Sequence, residues 1–240
     1  MYRRHVLTLV FRVLLFTAAL CLYFIDAGKL DFTAAFEQGS SGLFLAVIWS
    51  VLVVSMMFRL FPNKHIAMGA RKHYACSYRA APCAENASKS ISEARKHLNK
   101  GALFSTMAWI LLNAAVFFVL SALGKLKPPE IVLVMLAYAI CDTVCVMFFC
   151  PFQLLFMRNR CCVVCRIYNW DFLMMCSPMV IFRSAFSLSL LLLSAVVLVR
   201  WEVSLHKNPR YFLEESNENL SCAQCQDRMC RTQCTSKCGK

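Results

Sequence analysis

IVLVMLAYAICDTVCVMFFCPFQLLFMRNRCCVVC, residues 131–165, decides how this chain is read. Its first part, 131–156, carries a single ionisable carboxylate, Asp142, in an otherwise apolar run. About 20 such residues are enough for a helix to cross a hydrocarbon core roughly 30 Å thick. The run then turns at once into the basic, thiol-rich RNRCCVVC. The pattern predicts a membrane span, with its last turns bent by Pro151, that opens into a polar knot holding Cys161, Cys162 and Cys165.

Four further apolar blocks lie on either side, at 6–25, 42–61, 102–123 and 177–199. The chain of 240 residues is 59% hydrophobic and 16% charged, against about 45–50% and about 25% for an ordinary soluble domain. The expected fold is an all-α, polytopic membrane helix bundle of about five transmembrane helices over 1–201. A Cys-rich tail, 202–240, follows it. The lipid bilayer is the implied partner. A basic loop, 62–101, and an interfacial helix, 159–176, complete the expected plan.

The formal net charge is +13. The arginines and lysines gather at the N-terminus, in 63–100 and in 157–171, which is how cytoplasmic segments are marked. No recognition motif accompanies that charge, so no nucleic acid is expected as a partner. The charge bias places the N-terminus and both basic segments in the cytoplasm. Five crossings then put the tail on the opposite side, with Trp170 and Trp201 at the two interfaces of the last span. Arg12 is expected to snorkel back toward Arg3 and Arg4.

The tail reads CAQCQDRMCRTQCTSKC from Cys222, with Cys225, Cys230, Cys234 and Cys238 following. A C-x2-C pair lets two sulfurs reach one ion, so zinc or an iron–sulfur cluster is the implied cofactor. In an oxidising compartment the same thiols would form disulfides instead. In the knot, Arg158, Arg160 and Arg166 surround the thiols and favour thiolate. Cys76 and Cys83, with His65, His73 and His97, are additional candidate ligands. Cys21, Cys141, Cys145, Cys150 and Cys176 lie inside apolar blocks, where a thiol is commonly a small hydrophobe.

Within the spans, Asp142 is the costly residue. Asn113, at similar depth in the third span, is its expected hydrogen-bond donor. Asp171 is a candidate partner for Arg183. Phosphate loops, hydrolytic nucleophile motifs and HExxH helices are missing from the sequence, so a conventional enzyme is not expected. The functional expectation is a membrane protein whose clustered thiols bind a metal or take part in thiol or electron transfer. The alternatives are a small proton- or cation-coupled transporter built on Asp142 and Asn113, and a scaffold or assembly factor that recruits a protein through the basic loop or tail.

Overall fold

The computed structural model describes residues 2–33, 42–81, 88–159 and 161–221. Cys83 and the tail cysteines Cys222, Cys225, Cys230, Cys234 and Cys238 lie outside them. The described chain is helical without strands, apart from one isolated bridge between Ala80 and Asn217. Five of its helices are long and apolar enough to cross a membrane. They are α1 (Tyr2–Asp26), α2 (Leu43–Leu60), α4 (Ser88–Ala122), α5 (Pro128–Met147) and α7 (Ala185–Lys207); α3 (Met68–Arg71) and α6 (Asp171–Cys176) are short.

Local sequence sets these boundaries. Pro128 and Pro129 open α5 after an extended Lys127, where a missing N–H costs nothing. Ser184 and Ser187 cap each other at the start of α7. Gly124, at φ 64, closes α4, and Lys125 N–H donates back to Leu120 C=O at 2.8 Å. A left-handed glycine in this place is the common helix stop.

Helix α4 begins well before the block expected at 102–123. Gly101 sits inside it, and a Cβ there would come within 2.7 Å of Met157 Sδ and 2.9 Å of the Phe156 carbonyl oxygen. The missing side chain is what lets α4 lie against the next segment.

The span expected at 131–156 is interrupted. α5 stops at Met147, and a separate π-helical turn, Phe152–Met157, follows Pro151. The interfacial helix expected at 159–176 is broken as well. It becomes two 3-10 turns, Cys162–Val164 and Arg166–Trp170, followed by α6.

Helix α6 continues into a 3-10 turn, Ser177–Ile181, and together they travel the length of the bundle. Asp171 meets Arg59 near the end of α2. Ser177 accepts from Trp109 at mid-height of α4. Phe182 packs on Phe32, just beyond α1, with ring centroids 6.2 Å apart. This stretch carries the chain back along the bundle without a long helix, helped by 3-10 turns that rise about 2.0 Å per residue. Phe172, Met175, Cys176 and Met179 are buried along it. Irregular backbone at such depth is tolerated where protein surrounds it.

This return along the bundle changes which segments meet. Trp170 and Trp201 lie at the same end, not at opposite ends: Trp170 donates to Glu202 and Trp201 to the carbonyl of Arg166. Arg4 donates to the His65 carbonyl at 2.7 Å. Glu218 pairs with Arg79 at 2.9 Å. The start of α1, the 62–81 segment, the knot and residues 207–221 therefore share one end of the bundle, called here the thiol end.

Two ion pairs cross the bundle where other partners were expected. Arg12 reaches Asp142, 2.7 Å away, and the Thr143 hydroxyl oxygen, so it does not turn back to Arg3 and Arg4. Asn113 donates to Trp109 C=O in its own helix and leaves the carboxylate to Arg12. Arg59, not Arg183, holds Asp171, with Nη2 at 2.6 Å from the carboxylate. Arg59 also donates to Asn169 and lies 4.6 Å from the Phe172 ring centre. Arg183 is exposed.

Candidate thiol site

The break before Pro151 creates the site. A residue preceding proline is pushed out of helical conformation, so the chain turns at Cys150. The sulfur of Cys150 then faces the amide N–H groups of Phe152 and Gln153 at the start of the π turn. Cys145, one turn back in α5, and Cys162, from the knot, lie close to the same sulfur, and Cys162 Sγ also reaches the Cys145 carbonyl oxygen at 3.6 Å. Three cysteines from three stretches of backbone thus converge. Cys162 Sγ also donates to Gln153 Oε1 at 2.9 Å, and Gln153 is itself fixed by donating to the Asn159 carbonyl.

This arrangement separates the thiols electrically. Hydrogen bonds from Cys145 and Cys162, with the two amides, pull the Cys150 thiol well below its usual range. The nearness of Cys150 and burial push Cys162 up. The arrangement favours the thiolate form at Cys150 and the thiol form at Cys162.

The other knot cysteines face elsewhere. Cys165 is packed with Leu98, Met157, Ile167 and Leu213, and burial pushes its thiol up to about 11. Cys161 is half-buried beside Met68, Val163 and Leu220. Cys162 and Cys165, joined by the C-x2-C spacing, therefore have different neighbours. The cysteine that meets Cys162 is Cys150, read from the sequence as part of an apolar block. The proline directly after it is the signal that sets it apart.

Lys72 supports the knot from behind and carried no sequence signal beyond its charge. It is fully buried, and its ammonium donates to the carbonyls of Val163 and Cys165, both at 2.8 Å. The rings of Trp201 and Phe212 lie 5.3 and 5.6 Å from it. Burial pushes the amine down to about 8. These bonds hold the 162–165 turn and tie it to the first residues after α7.

His73 lies in the same layer. Its ring stacks on Tyr74 at 3.9 Å and meets Trp201 at 5.1 Å, and Nδ1 contacts the Ala70 carbonyl oxygen. Burial pushes it down to about 4, with the nearby Arg200 charge contributing, so the ring is neutral. His65, His97 and Cys76 are exposed. Among the described residues no group of three or more His, Cys, Asp or Glu side chains is disposed to hold a metal ion. The ligand set expected from Cys76, His65, His73 and His97 with Cys162 and Cys165 does not assemble there.

Comparison with known protein families, with curated proteins and with solved structures finds no match.

Proposed function

We propose that this chain is a six-pass integral membrane protein that carries out thiol–disulfide exchange at one membrane interface. The membrane part rests on the uncovered apolar faces of the long helices. Leu7, Phe11 and Leu14 of α1 and Leu103, Leu111 and Phe118 of α4 are exposed, and hydrocarbon is the surrounding that suits such a surface. Five long passes and one short one put both described ends on the same side, and the arginine and lysine bias makes that side cytoplasmic.

The observation that carries the chemistry is the placement of Cys150 between Cys145 and Cys162. The Cys150 thiolate attacks one sulfur of an incoming protein or low-molecular-weight disulfide. A mixed disulfide forms and one thiolate leaves. The Cys162 sulfur then gives up its proton and attacks Cys150. The Cys150–Cys162 bond forms, and the second thiol departs. Two electrons pass from the pair to the incoming disulfide, together with the one proton of Cys162; the thiolate that leaves first takes its proton from solvent.

Oxidised glutathione provides the test. After brief exposure and alkylation, peptide mass spectrometry should recover a Cys150–Cys162 disulfide, abolished by Cys150→Ser and retained in Cys165→Ser. Equal alkylation of Cys150 and exposed Cys76 at pH 6, with no such disulfide, would sink the proposal. The transporter alternative has weak support, because Arg12 already engages the Asp142 carboxylate.

A further inference from the structure

We infer that the cleft between α4 and α7 at the thiol end binds the phosphate of an anionic phospholipid; this rests on the membrane reading above. The cleft has a volume of about 490 Å³. Its walls bring together two guanidiniums, Arg95 and Arg166, with one carboxylate, Glu202, and the imidazole of His206. The lining thus sets two guanidiniums against one carboxylate.

The donors are only partly used. Arg166 donates to Asn99 and, at 2.6 Å, to Glu202, while its Nε is buried with no acceptor. Arg95 directs one nitrogen to His206 Nδ1 at 2.6 Å, and a guanidinium carries five N–H donors. A phosphate oxygen is an acceptor of the right charge and geometry for both arginines.

The surface beyond the cations fits the rest of a lipid. Asn99, Leu103, Met107 and Ile110 follow one another on one face of α4, and the last three are exposed and apolar. The strip starts at the polar cleft and descends into the apolar part of the helix, as an acyl chain leaves a headgroup. Trp170, which lines the cleft, stands where indole rings gather at membrane interfaces. Free phosphate would use the arginines but not the strip.

The test is native mass spectrometry of the full chain released from detergent with phosphatidylglycerol, phosphatidylcholine or inorganic phosphate added. Phosphatidylglycerol should bind about tenfold tighter than phosphatidylcholine. Arg95→Gln should remove that preference, while Lys207→Gln, which takes the same charge from outside the cleft, should keep it. Equal binding of both lipids overturns the inference. So does retention by inorganic phosphate alone, or an equal loss in the two variants. Alkaline carbonate washing separates the two failures. A chain stripped from membranes fails the membrane reading, and one that stays without lipid preference fails only the cleft.

Discussion

Arg12 and Asp142 face each other across α1 and α5 at 2.7 Å, and the guanidinium also donates to the Thr143 hydroxyl oxygen and the Ala139 carbonyl. The pair joins two helices whose outer faces are apolar, and it neutralises two charges that would each be costly in hydrocarbon. Asp142→Asn should lower thermal stability in detergent by roughly 2–4 kcal/mol, because the arginine is left without its counter-charge. The double variant Arg12→Leu, Asp142→Leu should recover much of that loss. A thermal melt of the unaltered protein and the two variants checks both statements.

His73 makes stability depend on acid. Its folded pKa lies near 4, below the usual value of about 6.5. The unfolded chain therefore binds the proton first as pH falls. Stability should be complete above pH 6.5 and decline toward pH 4, by at most on the order of 3 kcal/mol. His73→Phe should flatten that limb of a pH–melting curve. An unchanged limb would refute the assignment.

Lys72 acts in the opposite range. Its folded pKa of about 8 lies below the usual value of about 10.4, so the unfolded chain holds its proton to higher pH. Stability should rise from pH 8 to 9. Above pH 9 the raised thiol of Cys165, near 11, pulls the other way, because the folded state then keeps a proton that the unfolded state has lost. Lys72→Met should abolish the rise, as read by chemical unfolding at pH 7.5 and 8.8.

Gly101→Val should displace the 152–157 turn, since its side chain would enter the space of Met157 and the Phe156 carbonyl. We expect a loss of about 1–3 kcal/mol, as for other overpacked sites. Oxidative Cys150–Cys162 bridging should slow with it. Gly101→Ala should show a smaller effect in both measurements.

A membrane-impermeant maleimide should label Cys76 and the tail cysteines with the same sidedness in intact and opened cells. Opposite sidedness would overturn the six-pass arrangement.

The long apolar helices were legible because hydropathy averages over a window and needs no partner. The short return over 171–184 was not, because the length rule behind it assumes a helix surrounded by lipid. Residues 171–184 are shorter than that rule requires, and Phe172, Met175, Cys176 and Met179 are covered by protein. The ion pairs were hidden for a related reason: Arg12 and Asp142 are far apart in sequence, and no one-dimensional pattern joins them. The thiol site was half visible. Clustering drew attention to Cys161, Cys162 and Cys165, yet Cys145 and Cys150 looked like packing thiols until the break at Pro151 turned Cys150 toward Cys162. Lys72 looked like one loop charge among many, because burial is set by Trp201 and Phe212 from distant parts of the chain.

The packing of Leu220 on Val163 has a chemical consequence under the six-pass reading. The knot and the root of the tail open into one compartment and answer to one redox buffer. Electrons moving between them need not cross the bilayer, and the membrane potential does no work on that transfer.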